Sequence, residues 1–579
     1  MTADELRGEQ PAARGAAAPA RSRTGAPDTR AGWTAGGRLL LVLILALAAG
    51  LRFAGLSFGL DADDPSHTVL NNQVDERSMA QSVLDGLLAG RLDPGDFLFR
   101  GPGGFLVFGA LDAAVLLPSA LAHPGGWEGL RADLDRNLSR LILWHRTWSA
   151  LAGVATVLVL AQLVRRRMGQ TAGLLAALFT ATFYLHVRES HFGTMDPLFG
   201  LLFTGTLAAL LQAAADGTRR SFLRAGLLAG ATASIKYFGG ALVLHALLAL
   251  LVARRRAGAQ GRPAPPWTLL AWTGAAMAAG FLLLAPSVWL DPRPLADKVI
   301  MSVDSFGMRP SAGSLGELVR YHARLTAGYG LGAPLCALAL CGLLAGLLRR
   351  GPLRLPALFA LLALPCALAV DLPALRYGLP VLLAGVPLAA GTAAGLLAPL
   401  LARPGPAPRA VAAAALAACL LPGTRRCVDF DARVARTDTR LLMLDRLAAL
   451  GAPREDIWAL GGFGLPRLPE GLPSPFLDIH RMLVRDRGLL TRMADDPPRY
   501  VLQDLSAPDL REWTGVDVEP LLASRYREIA RYDPRPDPDA VPLDVFREAD
   551  LPQHVFPFRD PGAVDRPGPP LVLYELCPD

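Results

Sequence analysis

The chain has 579 residues, of which 52% are hydrophobic and only 19% charged, with a formal net charge of +7. Apolar stretches of about twenty residues, enough to cross a bilayer as helix, recur along it, which excludes an ordinary soluble enzyme and indicates a polytopic membrane protein. Arg collects in cytoplasmic loops, so the positive charge reports topology, and nucleic acid is not an expected partner.

Residues 1–36 are rich in Ala, Pro, Arg, Gly and Thr without periodicity and are expected to form a disordered cytoplasmic tail. The transmembrane domain is then read over 37–422, beginning with the span Leu39 to Leu56. A first outer loop, 57–145, carries Asp61, Asp63, Asp64 and the adjacent pair Asp75-Glu76. Within it, Gly104 to Ala122 is apolar but interrupted by Asp112 and Pro118. If that stretch crossed the membrane, Arg165-Arg166-Arg167, Arg219-Arg220, Arg254-Arg255-Arg256, Arg349-Arg350 and Arg403/Arg409 would all face outward. Laid in the outer interface, it returns every cluster to the cytoplasm.

Further spans are expected near 146–164, 171–187, 197–215, 222–235, 237–253, 267–290, 327–348, 353–370, 376–399 and 410–422, about eleven in all with the first. The N-terminus is then inside and the C-terminus outside. The outward segments 57–145, 188–196, 235–237, 291–326 and 371–376 hold Arg188, Glu189, His191, Asp196, Lys236, Tyr237, Arg320, His322, Arg324 and Arg376. Each ionisable group costs roughly 3 kcal/mol or more at a bilayer centre unless solvated or paired, so their gathering on one side suggests a shared polar cavity. Lys236 stands out, because Lys occurs elsewhere only at Lys298.

From 423 to 579 the composition turns charged and Pro-rich. Arg440 to Leu450 has helical periodicity, while Asp456 to Leu460, Tyr500 to Leu505 and Leu571 to Leu576 read as strands, giving a small α/β domain expected outside the cytoplasm. Cys336, Cys341, Cys366 and Cys419 lie in apolar runs as core residues. Cys427 and Cys577 bracket the C-terminal region, and if that region is exported they are a candidate disulfide.

Several motifs in order resemble one family. They are the acidic pair after the first span, the run His186-Val187-Arg188-Glu189-Ser190-His191 leading to Thr194-Met195-Asp196, the turn Ile235-Lys236-Tyr237, and Leu375-Arg376-Tyr377-Gly378-Leu379-Pro380. Together they look like the GT-C superfamily of membrane glycosyltransferases, in particular the bacterial branch of glycosyltransferase family 39, relatives of protein O-mannosyltransferases and aminoarabinose transferases. The resemblance covers about residues 38–400. Thr437-Asp438-Thr439-Arg440 and Arg566-Pro567-Gly568-Pro569 also resemble the tails of such enzymes.

The resemblance implies an all-α membrane domain and transfer of a sugar, with inversion, from a polyprenyl-phosphate donor. The acceptor hydroxyl would belong to a lipid, glycan or protein at the outer face of a bacterial cytoplasmic membrane. It makes Asp75 the general base. Arg376, a bidentate fork, and Lys236, a compact charge, would stabilise the departing phosphate. Asp196 and Glu76 would bind sugar or acceptor or orient the base, and His191, Tyr237 and Arg324 would be further substrate contacts in the same polar set. Where the family often has His-Pro and Tyr-Pro-Pro, this chain has Gln73-Val74 and Phe99-Arg100-Gly101-Pro102, which makes Arg100 a candidate replacement contact.

Simpler readings stand beside these. Asp196, followed by Pro197, suits a helix cap, and Lys236 suits a snorkelling side chain. His191 is expected to hydrogen-bond in its loop, not to hold a metal. Asp61, Asp63 and Asp64 offer oxygen ligands for a divalent cation but lack calcium-loop spacing, so solvated charge is the plainer reading. Two other classes remain: a transporter or flippase of lipid-linked glycans, for which paired repeats and broken helices are expected, and a non-catalytic envelope scaffold.

Overall fold

The structure is a computed structural model that describes residues 32–60, 74–91, 101–136, 138–293, 295–297, 315–368, 375–453, 456–460, 495–506, 517–543 and 557–578. Its membrane part begins with α1 (Ala35–Phe53), α2 (Val74–Leu88), α3 (Pro102–Ala122), α4 (Gly126–Arg136), α5 (Ser139–Met168), α6 (Gln170–Ala181) and α7 (Tyr184–Glu189). It continues through α8 (Asp196–Asp216), α9 (Arg219–Ile235), a 3-10 turn (Tyr237–Ala241), α10 (Leu242–Ala259), α11 (Thr268–Leu283) and α12 (Pro286–Leu290). Then follow α13 (Leu315–Tyr321), a π-helical segment (His322–Gly332), α14 (Ala333–Leu348), α15 (Arg354–Leu368), a second 3-10 turn (Leu375–Gly378), α16 (Leu379–Leu401) and α17 (Pro406–Val434). Among the described residues eight helices are long and apolar enough to cross a membrane, and Gln170–Ala181, Thr268–Leu283 and Arg354–Pro365 are shorter apolar helices.

Small residues bring the helices together, as expected where lipid supplies no hydrophobic drive between them. A Cβ on Gly230 of α9 would fall 1.9 Å from Met277 O of α11, and one on Gly280 would fall 2.2 Å from Leu227 O. The two backbones therefore touch.

Contacts distinguish the two ends of the bundle. At one, Arg167 donates to Leu211 O, Arg256 to Ala214 O and Arg254 to Pro265 O, so the arginine-rich C-termini of α5 and α10 meet the C-terminal end of α8. At the other lie the loops that carry His191, Asp196, Lys236 and Arg376. α3 stays at this second end. Its Gly103 abuts Ser234 and its Gly104 abuts Met195, yet nine residues on, about 14 Å along the axis, Asp112 still bonds His145, which itself abuts Gly193. The helix thus runs across the bundle end, as the charge clusters require.

α17 continues past Pro422 and Arg425-Arg426 to Val434, beyond the expected end of the last span at 422. This corrects the disulfide expectation. Cys427 sits on the buried face of α17 with Sγ 3.7 Å from Thr182 O, whereas Cys577 is exposed after the last strand, and both thiols are free.

The C-terminal unit contains α18 (Thr439–Ala449), β1 (Ile457–Leu460), β2 (Tyr500–Asp504), α19 (Glu519–Arg525), β3 (Tyr526–Tyr532) and β4 (Leu571–Leu576). Its sheet has the order β1-β2-β4-β3, with β1 parallel to β2 and the other pairs antiparallel. Met443, Leu444 and Leu447 of α18 pack on Tyr500, Leu502, Leu571 and Leu573. β3 was not anticipated. Its rungs Arg527, Glu528 and Arg531 give an edge strand the charge that discourages edge pairing, and so hide its strand pattern.

The tail-like motifs form a latch. Asp438 accepts the Arg440 backbone N–H at 2.9 Å and binds its guanidinium through Nε at 2.9 Å and Nη2 at 2.7 Å. Thr439 donates from its N–H to Pro567 O at 3.0 Å and from its hydroxyl to Pro569 O at 2.7 Å. Gly568 between them has φ +104 and lies against Thr439, leaving no room for a Cβ. Segment 557–566 then reaches the membrane part: Arg426 Nε donates to Arg559 O, Arg433 Nε donates to Val564 O, and buried Phe558 stacks on Tyr184 with centroids 5.2 Å apart.

Candidate active site

The floor of the site is the segment from Thr182 to Asp196, nearly all of it buried. Arg52, near the end of α1, donates to Thr180 O and Ala181 O at the C-terminus of α6 and lies 2.8 Å from His186 Nδ1. A cation there satisfies carbonyls that a helix end leaves open. His191 has Nδ1 2.9 Å from Val187 O and Nε2 2.9 Å from Ala54 O, with Asp431 Oδ1 3.5 Å away. A neutral imidazole donates to only one of those carbonyls. Burial nevertheless outweighs both contacts and pushes the His191 pKa down to about 4; with both ring nitrogens on backbone carbonyls it braces the loop and is not turned to a substrate.

Glu76 is fully engaged. Its carboxylate takes Arg146 Nε at 2.7 Å, Arg146 Nη2 at 2.8 Å and the Gly193 N–H at 2.7 Å. Arg146 also donates to Leu56 O and Phe58 O and stacks over the Phe58 ring at 4.2 Å. A buried charge stripped of its partner costs several kcal/mol, so this clamp fixes the start of α2 against α5 and the floor loop. Of the two expected roles for Glu76, substrate contact and orientation of its neighbour, the geometry fits orientation. Asp75 is the second residue of α2; its side chain lies outside the described residues.

Across the floor, Lys236 donates to Asp196 Oδ1 at 2.5 Å. Lys236 is the extended residue between α9 and the 3-10 turn, and Asp196 is the first residue of α8, whose cap is Met195 with no side-chain bond. Asp196 therefore serves the lysine instead of capping. Lys236 Nζ lies 5.5 Å from the Tyr377 ring centroid, and Arg376 Cζ lies 5.7 Å from the same ring. Lys236 and Arg376 are both buried, at 9% and 8% exposed.

Arg188 Nη1 donates to Glu189 Oε1 at 2.7 Å, and Glu189 Oε2 is buried with no hydrogen-bond partner among the described residues. Burial pushes the Glu189 carboxyl above the usual range, against Arg188, and the charges of Asp196, Arg376 and Lys236 all reach it. Three cations and two carboxylates thus form one polar cluster.

Among the other sequence candidates, Tyr237 turns its ring toward Phe281, with centroids 6.5 Å apart. Arg324 is exposed in a separate cleft, described below. Arg100 lies outside the described residues, as do Asp61, Asp63 and Asp64; the neighbouring Gly101 packs on Ile235 O, next to Lys236. Among the described residues no group of three His, Cys, Asp or Glu side chains is arranged to hold a metal.

Sequence reasoning did not assign the Glu76–Arg146 clamp, the Arg52–His186 contact, or the fully buried Asp112–His145 bond at 2.6 Å. The available signal was a charge inside an apolar run, which implies a partner even where the partner is distant in sequence.

Part of the chain is similar to a known family. Residues 142–288 match the family model for dolichyl-phosphate-mannose-protein mannosyltransferase. The matched segment contains Arg146, Arg188, Glu189, Asp196 and Lys236, while α2 and Arg376 lie to either side of it. No curated protein sequence matches the chain. Solved structures similar to it include the archaeal oligosaccharyltransferase AglB from Archaeoglobus fulgidus in complex with an inhibitory peptide and a dolichol-phosphate. That match has 13% identity over 88% of this chain and 75% of that chain, with a TM-score of 0.48. ArnT from Cupriavidus metallidurans in the apo state is similar at 15% identity over 85% of this chain and 96% of that chain, with a TM-score of 0.46.

Proposed function

We propose that this protein transfers a sugar, with inversion, from a polyprenyl-phosphate donor to an acceptor hydroxyl at the outer face of a bacterial cytoplasmic membrane. The observation that carries the reading is the polar cluster in which Lys236, held by Asp196, stands with Arg376 and Glu189 on the floor to which Glu76 clamps the start of α2. The family description, with its polyprenyl-type phosphate donor, supports the same chemistry.

In this mechanism Asp75 takes the proton from the acceptor hydroxyl as its oxygen attacks the anomeric carbon. The bond from that carbon to the phosphate oxygen breaks, and polyprenyl phosphate leaves with the electron pair. Negative charge then grows on the phosphate, where Lys236 and the Arg376 fork stabilise it. Glu189 Oε2 is an acceptor for a sugar hydroxyl. Asp196 keeps Lys236 in place, and the Arg-rich bundle end faces the cytoplasm.

The experiment is to incubate purified full-length protein with radiolabelled polyprenyl-phosphate sugars and envelope lipid, glycan or protein acceptors, and to read the product anomer by NMR. Label in acceptor with the anomeric configuration opposite to the donor is the expected result. Passage of intact donor between leaflets without transfer would instead identify a flippase.

A further inference from the structure

A second polar feature lies beside the catalytic cavity. Glu317, Arg320, Tyr321, Arg324, Leu325 and Arg559 line a cleft of about 390 Å³. Its size is that of a small-ligand site, into which a phosphorylated headgroup or a charged sugar fits. Two walls come from α13 and the π-helical segment. The third comes from the C-terminal unit, whose Arg559 lies 5.8 Å over the Tyr329 ring, a ring that Arg426 covers from 4.9 Å.

The electrostatics of this cleft are one-sided. Arg320 and Arg324 are four residues apart, a spacing at which like charges on a helix repel, and Arg559 adds a third guanidinium. Among the described lining residues Glu317 is the one carboxylate beside them. Guanidinium forks match phosphate and carboxylate oxygens in pairs, so an anion between them would turn this repulsion into charge-assisted hydrogen bonds.

Depth identifies where that anion comes from. α14 rises about 24 Å from the Arg349-Arg350 end, against a hydrocarbon thickness of about 30 Å, and the cleft lies two to three turns further on. Arg559 reaches it from an extramembrane unit. The cleft therefore opens at headgroup level. It also adjoins the catalytic cavity: a Cβ on Gly378, two residues after Arg376, would fall 2.2 Å from Thr326 Cγ2, and Thr326 follows the cleft residue Leu325.

We propose that this cleft holds a phosphate or carboxylate of a membrane-borne acceptor, so that the enzyme selects anionic acceptors while Lys236 and Arg376 hold the donor phosphate. The inference rests on the transfer reading above. Its test begins with binding, which needs no turnover. Full-length protein in neutral detergent is titrated calorimetrically with dihexanoyl phosphatidic acid, dihexanoyl glycerol and inorganic phosphate. Phosphatidic acid is expected to bind and the glycerol lipid not to. R320Q/R324Q should weaken binding about 10-fold or more, R559Q should weaken it less, and K236Q should retain it.

Unchanged binding in R320Q/R324Q, or equal loss in K236Q, overturns the assignment, the latter by placing the anion at the donor position. Equal affinity for inorganic phosphate overturns the headgroup source. If the double Gln variant melts early, R320K/R324K keeps the charge, loses the fork, and is expected to lose affinity several-fold at an unchanged melting temperature. In the transfer assay R320Q/R324Q should raise the acceptor KM at unchanged kcat. An unchanged KM alongside lost lipid binding would make the cleft a lipid anchor and refute its acceptor role. Absence of transfer from every donor, by contrast, defeats the transfer reading itself and leaves the binding result to stand.

Discussion

Two regions of this protein bury charged pairs, and they use them differently. In the C-terminal latch, Asp438 and Arg440 are both fully buried and bind each other through two parallel contacts, with Gly568 pressed against them. In the cavity, Lys236 meets Asp196 through one bond, three cations face two carboxylates, and Glu189 keeps an unbonded oxygen. The latch is closed on itself, as a stabilising element must be. The cluster keeps a buried acceptor, Glu189 Oε2, with no partner among the described residues, the condition in which a polar cluster has capacity for a ligand.

The comparison breaks first on the latch. Arg440→Met leaves the Asp438 carboxylate buried without its cation and is expected to cost about 3–5 kcal/mol of stability, read as a lowered melting temperature. Transfer per folded molecule should not change. In the cavity the roles reverse: Lys236→Gln is expected to lower kcat about 100- to 1000-fold with a smaller effect on melting, measured in the same preparations. A variant pair that behaved the other way round would show that the two clusters had been misassigned.

A smaller effect concerns pH. Burial lowers the His191 pKa from 6.5 to about 4, so the neutral imidazole is favoured in the folded state. The unfolded chain takes up its proton first as pH falls, so the contribution is complete above pH 6.5. It is lost progressively toward pH 4, by about 3 kcal/mol in total. Melting temperatures of the protein and of His191→Gln across that window check it, and the variant should show the flatter curve. The least effect is expected from Gly568→Ala, about 2 kcal/mol from a positive φ and a crowded Cβ, visible as faster hydrogen exchange in α18.

What was legible in the sequence follows from which forces are local. Apolar length gave the membrane helices, because it depends on transfer between water and lipid and not on tertiary detail. Lys236 and Asp196 drew notice as a rare lysine and an Asp-Pro helix start, although their bond joins residues 40 apart. The Glu76–Arg146 clamp joins residues 70 apart and the Glu76–Gly193 bond residues 117 apart, and no periodicity encodes such pairings. The Cys427–Cys577 expectation failed for a related reason: composition marks where the apolar run ends, but α17 continues through its arginines by burying one face.

The account turns on a base at Asp75 working beside the cation-rich cavity. The most direct measurement is kcat for sugar transfer by Asp75→Asn at saturating donor, with donor affinity and melting temperature recorded on the same sample. A fall of about 100- to 10,000-fold in kcat with the other two unchanged is expected. Transfer at the wild-type rate would contradict it.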